Sequence, residues 1–283
     1  MRLASYNVRG RSSYGAVVGD GVVDLRLRLG ARHPTLVDLL RDDGLSDARA
    51  VLRGVRPDFA LAEVELLAPL IVPEKILCIG INYANRNADF DDPNVPKFPS
   101  MFYRAPGSLV AHGKPLIRPR VSEQLDYEGE IALVIGRAGR HIPRERALEH
   151  VAGVTLCNEG TVRDWLRHGK FNVTQGKNFD ASGSIGPWIA TDVDLTQPLR
   201  LTVKVNGEVT QDDTTGSMIF GFAELIAYVT TFMTLKPGDV LVTGTPVKKG
   251  PRIDPPRWLV PGDVVEVTVP EIGTLRNQVA DEQ

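Results

Sequence analysis

The chain has 283 residues, with 33 Lys+Arg against 35 Asp+Glu and a net charge of −2. So balanced a charge excludes a strong field for nucleic acid or an anionic membrane surface, and no apolar run of about 18 residues is available to span a bilayer. Hydrophobic residues make up 42%, enough at this length to bury a core without disulfides or a structural metal. The opening stretch MRLASYNVRGRSSYG contains no signal-like hydrophobic segment. Cys78 and Cys157 are too far apart for a Cys-x-x-Cys zinc or disulfide pattern. A cytoplasmic enzyme with one large domain, or one large and one small, is the expectation.

The 27 glycines and 20 prolines fall at regular intervals, as in a strand-rich chain with many turns. Residues 13–25 alternate around Gly19-Asp20-Gly21, a hairpin turn signal. Thr35 is placed to cap a short helix over residues 36–40. Pro73 marks a boundary, giving a small N-terminal α/β domain (1–70) and a larger domain (71–283). In the larger part, residues 76–81 and 128–135 read as buried strands, and 201–205 alternates before the Asn206-Gly207 hairpin turn. A helix starting at Pro143 would carry Ala147, Leu148 and Val151 inward. The best helical period covers residues 222–235, with Phe222, Leu225, Ile226 and Val229 on one face. Two Pro-Gly-Asp turns, at 237–239 and 261–263, each lead into a Val-rich strand. The sum is a strand-rich α+β chain.

Chemistry concentrates in Asp126-Tyr127-Glu128-Gly129-Glu130. Side chains alternate along a strand, so Glu128 and Glu130 share a face. Two adjacent anions entering an apolar strand repel unless a cation neutralises them, and a hard divalent ion with oxygen ligands would do so. The plainer reading is two solvated carboxylates on an exposed face. Glu159 follows the apolar run 151–156 and precedes Arg163 and Asp164. It reads either as a third ligand or as an acid near a helix N-terminus capped by Asn158 or Thr161.

Several motifs stand in one order: Gly80-Ile81-Asn82-Tyr83-Ala84, Asp126 to Glu130, Asn158 to Asp164, Gly176-Lys177-Asn178-Phe179-Asp180, Val205-Asn206-Gly207-Glu208, Thr243-Gly244-Thr245-Pro246 and Ile272 to Asn277. From about Glu74 to Val279 the chain thereby resembles the fumarylacetoacetate hydrolase family. The resemblance implies a mixed β-sandwich roll behind a small N-terminal domain, commonly a homodimer. It also implies one divalent cation, Mg²⁺ or Mn²⁺ with Ca²⁺ as a further option, held by Glu128, Glu130 and Glu159. The third ligand is ordinarily Asp, so Glu159 is a departure. Lys177 matches the family's active-site lysine, and Tyr83, Arg104, Arg163, Gly244 and Thr245 fall at substrate-contacting positions.

A second departure lies after Tyr83, where Arg86 stands in place of an expected histidine and Asp89 in place of a glutamate. Arginine does not deprotonate at neutral pH and cannot activate water. Three options remain: Asp89 as base with Arg86 as a carboxylate binder, a metal-bound water as nucleophile, or no hydrolysis, with His168 as a second candidate base. Arg86, Arg104 and Arg163 together suit a small dicarboxylate keto acid. The main expectation is a hydrolase that cleaves the carbon–carbon bond of an acylpyruvate such as maleylpyruvate or fumarylpyruvate, in aromatic-compound catabolism. The alternative keeps the metal enolate but omits water: a 2-hydroxyhepta-2,4-diene-1,7-dioate isomerase, or a decarboxylase of a β-keto acid such as oxaloacetate. A catalytically silent metal-binding protein is the third. His33, His141 and His150 read as surface residues, and His112 as a turn cap.

Overall fold

Glycine-containing turns and alternating strands build two packed sheets. The computed structural model describes residues 1–283 apart from 42–43, 85–94, 167, 170–172 and 249–256. The longer strands are β1 (Arg2–Val8), β2 (Arg11–Val18), β3 (Gly21–Asp24), β4 (Ile76–Ile79), β5 (Met101–Tyr103), β6 (Gly129–Ile135) and β7 (Val151–Asn158). They continue as β8 (Gly183–Ala190), β9 (Arg200–Val205), β10 (Glu208–Thr214), β11 (Val240–Val242), β12 (Val264–Val269) and β13 (Gly273–Asp281). Among the described residues, the large sheet runs β3-β2-β1-β8-β7-β6-β11-β4-β5, with short strands beside it. The second sheet runs β10-β9-β12-β13 and is completed by Leu116–Arg118. The strand-rich α+β expectation is met.

Strand β6 lies centrally and is buried along its whole length. Ile131, Leu133 and Ile135 pack with Leu156, Val203, Val267 and Leu275 in the core between the sheets. Ala132 and Val134 face the other way, into a core shared with Leu36, Leu39, Ile76, Cys78 and Cys157. Both faces are covered, which is why this strand reads as a continuous apolar run. Helix α1 (Leu36–Leu40) starts at a capping box in which Thr35 and Asp38 satisfy each other's backbone N–H groups. Helix α2 (Phe222–Phe232) buries Phe222, Leu225, Ile226 and Val229, the expected stripe.

Three expectations change. The first 70 residues do not close a sheet of their own: β1 pairs with β8, and the side chains of α1 share a core with β4 and β6. Burial of one common apolar face joins what the proline boundary suggested were two units. Helix α2 stops at Phe232, because Met233 is extended and Leu235 exchanges backbone hydrogen bonds with Gly139. The segment after Pro143 is a 3-10 helix, Arg144–His150, that buries only Ala147 and His150. No helix among the described residues is long and apolar enough to cross a membrane.

Candidate active site

The β6–β7 hairpin pairs Gly129 with Asn158 and Glu130 with Cys157, bringing the acidic ends of both strands together. Beside them, Leu125–Asp126 pairs with Thr161–Val162. The side chains of Glu128, Glu130 and Glu159 are buried, and one carboxylate oxygen of each lies within 4.8 Å of the others. The solvated-face reading of Glu128 and Glu130 is therefore excluded. Glu159 sits at a strand end and not at a helix cap. Its backbone N–H donates to the Glu128 carbonyl at 2.7 Å, which locks the two acids side by side.

The cluster is held from outside by charges and backbone dipoles. Lys177 Nζ donates to Glu159 Oε2 at 2.8 Å and also to Glu128 Oε2. Arg163 donates to Glu128 Oε1 at 2.6 Å and to Asp126 Oδ2 at 2.8 Å, and Lys248 pairs with Asp126 Oδ1. Charges thus alternate from Glu159 through Lys177, Glu128, Arg163 and Asp126 to Lys248. The Gly244 N–H donates to Glu130 Oε2. Gly244 holds φ at +99°, and a Cβ there would lie 2.7 Å from that of Asn82, so only glycine aims this N–H inward. At Gly160 a Cβ would fall 1.7 Å from the Ser182 carbonyl oxygen.

Burial pushes the Glu130 carboxyl well above the usual carboxylate range, and Glu159 and Glu128 push it the same way. Burial opposes the Lys177 ammonium, but attraction to Glu128 and Glu159 outweighs it and raises the pKa. For Asp126, Arg163 and Lys248 overcome burial and hold the carboxyl below its ordinary value. Glu159 Oε1 is buried without a hydrogen-bond partner. An anionic oxygen left bare inside a protein is expensive, and a donor set of three carboxylates is the chemistry of a hard divalent cation. Cys78 and Cys157, the buried thiols behind the triad, are pushed up by burial and pack in the core shared with Ala132 and Val134.

Several candidate residues occupy other roles. Arg104 is 2% exposed; it donates to the Gly160 carbonyl at 2.8 Å and to the Ser108 and Ser182 hydroxyls, so it supports the Glu159 turn. Arg163, expected to fork onto a substrate carboxylate, forks onto Asp126 and Glu128. The Thr245 hydroxyl is taken up by the Gly129 carbonyl and by Gln211 Nε2. Tyr83 is fully buried with an unpartnered hydroxyl. His168 is exposed and stacks on Trp165, with ring centroids 3.9 Å apart. Arg86 and Asp89 lie outside the described residues. His33 and His150 are buried, not superficial, against Asp47 and the Arg137 carbonyl, and His112 Nδ1 accepts from the Arg276 N–H.

Residues 75–280 match the family model described as the C-terminal domain of fumarylacetoacetate hydrolase. The chain belongs to the fumarylacetoacetate hydrolase family. Within it, the chain is 38% identical over 267 residues to the mitochondrial oxaloacetate tautomerase Fahd2a of Rattus norvegicus, covering 93% of this chain and 85% of the relative. It is 39% identical over 227 residues to the oxaloacetate tautomerase YisK of Bacillus subtilis, covering 78% and 75%. The crystal structure of a 5-carboxymethyl-2-hydroxymuconate delta-isomerase from Mycobacterium smegmatis superposes over the full length of both chains, with TM-score 0.78 and 30% identity. These similarities favour the isomerase side of the sequence-based alternatives over the acylpyruvate hydrolase.

Asp126, Lys248 and Gln211 were not singled out by sequence. Asp126 is adjacent to the Glu-x-Glu pair, and that adjacency was the available signal. Gln211 and Lys248 carried none, because β10 and the segment after Pro246 approach the site only through tertiary packing.

Proposed function

We propose that this enzyme interconverts the enol and keto forms of an oxaloacetate-class 2-oxo dicarboxylate, with a divalent cation, Mg²⁺ or Mn²⁺, held by Glu128, Glu130 and Glu159. The observation that carries the reading is the Lys177 ammonium, buried and bonded to Glu128 and Glu159 within the oxygen-donor cluster, alongside tautomerase relatives matched over nearly the whole chain. When bound, the cation supplies Lewis-acid stabilisation of an enolate oxygen.

Ketonisation moves one proton. The enol O–H bond breaks, a C–H bond forms on the neighbouring carbon, and the electron pair of the double bond becomes the new C–H bond while the oxygen closes to a carbonyl. Lys177 is the chain's proton-holding group at this point, and its charge lowers the cost of an oxyanion. Gly244 and Arg163 fix the carboxylates of Glu130 and Glu128, so the donor set is ordered before substrate arrives. No water is activated. The reaction therefore needs no water-activating base, whereas hydrolysis of an acylpyruvate does.

The test follows the ultraviolet absorbance of enol-oxaloacetate with Mn²⁺ and with EDTA, while pyruvate is assayed in parallel. Metal-dependent loss of the enol signal with total oxaloacetate unchanged is expected. Pyruvate release from maleylpyruvate or fumarylpyruvate, with no faster ketonisation, would overturn the proposal in favour of hydrolysis. Pyruvate and carbon dioxide from oxaloacetate would overturn it in favour of decarboxylation.

A further inference from the structure

At the outer end of the charge chain stands Lys248, a residue to which neither the family motifs nor the tautomerase chemistry assigns a role. Side-chain exposure rises along the chain, from 7% at Lys177 and 15% at Arg163 to 33% at Lys248. Its partner Asp126 is already well served without it: Oδ2 accepts from Arg163 at 2.8 Å, and Oδ1 accepts from the Tyr127 N–H at 2.8 Å. Lys248 is thus a second cation on a carboxylate that has one.

The ammonium is also held in place. It lies 4.1 Å from the centroid of the Tyr127 ring, an attraction of cation to aromatic face. The backbone of Lys248 forms an antiparallel bridge with Gln211. Gln211 in turn accepts from the Gly129 N–H at 3.1 Å and donates to Thr245, so Lys248 is tied to the floor of the site. An ammonium has three donors; Asp126 takes one, and the Lys248 side chain keeps 33% of its surface exposed.

Meanwhile Arg104, Arg163 and Thr245, the described residues expected to read a substrate carboxylate, are engaged by the protein itself. A 2-oxo dicarboxylate has a second carboxylate beyond the reacting carbons, and a cation at the outer end of the charge chain is placed to meet it. We infer that Lys248 is the specificity-determining residue that recognises the distal carboxylate of the substrate. The inference rests on the tautomerase reading above and deepens it.

The test compares oxaloacetate with its distal methyl monoester, which has the same reacting keto–enol unit but no distal charge, on Mn²⁺-loaded wild type, Lys248→Met and Lys248→Arg. A partly desolvated charge pair of this kind is expected to give about a 10-fold or larger fall in the oxaloacetate-to-monoester ratio of kcat/KM in Lys248→Met. The fall should be carried by KM, and Lys248→Arg should restore most of it. If Lys248 only pins Asp126, both substrates lose equally, the ratio stays put, and the inference is overturned. If wild type ketonises neither compound, the tautomerase reading fails on its own. Calorimetric binding of oxaloacetate and the monoester to Mn²⁺-loaded protein then decides Lys248: loss confined to the dianion in Lys248→Met supports the inference, while equal affinities, or no binding to wild type, overturn it.

Discussion

Two regions of this molecule use ion pairs in opposite ways. At the ends of β6 and β7, four carboxylates (Asp126, Glu128, Glu130 and Glu159) and two cations, Arg163 and Lys177, are almost withdrawn from water. At the seam between the N-terminal residues and β8, the Met1 ammonium and Arg49 both bind Asp192, whose side chain is 56% exposed. Exposed pairs contribute little and cost little. Buried ones carry a desolvation penalty that well-packed apolar side chains would avoid. A fold does not need the first arrangement, so its presence points to chemistry, whereas the second needs no explanation beyond closing a surface seam.

The comparison is broken most directly by removing the acids. Glu128→Ala and Glu130→Ala should each lower metal-dependent turnover by about 10³-fold or more, since each removes an interaction made at the developing charge. Manganese titration should show weakened binding; the melting temperature should hold or rise in Glu130→Ala, where like charges are relieved, and fall in Glu128→Ala, which takes a buried partner from both Arg163 and Lys177. A melting temperature that falls with activity in Glu130→Ala would make that acid structural.

Gly160→Ala should come next. Its methyl group would meet the Ser182 carbonyl oxygen at 1.7 Å, which forces the turn before Thr161 apart. A loss of about 1–3 kcal/mol in denaturant unfolding is expected.

Asp126→Asn sharpens the comparison within the site. With Arg163 no longer balanced, Mn²⁺ affinity should drop about 10–100-fold, as for other residues that orient metal ligands. Unfolding should change far less than for Gly160→Ala.

The smallest effect belongs to the seam. Hydrogen bonds from the N-terminal ammonium and Arg49 push the Asp192 pKa down to about 2. A carboxylate whose folded pKa lies below its unfolded value stabilises fully above the unfolded value, and that contribution fades as pH falls through the folded one. Asp192→Asn should therefore cost only about 0–0.5 kcal/mol at neutral pH, given its exposure. The difference from wild type should vanish between about pH 4 and pH 2.

Much of the architecture was legible because it depends on neighbours in sequence. Gly19-Asp20 and Asn206-Gly207 turn their hairpins as expected, Thr35 caps α1, and both Pro-Gly-Asp turns lead into strands. Those two strands also show the limit. Strand β11 is buried throughout, between β6 and β4, whereas β12 alternates between buried and half-buried residues. Similar local codes acquire different burial from their place in the sheets.

The acidic positions that form the candidate site, Glu128, Glu130 and Glu159, were likewise legible in the sequence, through the ordered family motifs, since a Glu-x-Glu pair taken alone reads equally as two solvated carboxylates. What only the tertiary structure decided is what each polar side chain spends its hydrogen bonds on. Arg104 meets Gly160, 56 residues away, and Asp126 meets Lys248, 122 residues away. Buried polar groups must be satisfied wherever the fold offers a partner. That requirement engages Arg104, Arg163 and Thr245 with protein partners, and leaves Lys248 as the described cation of the charge chain with the most exposed side chain.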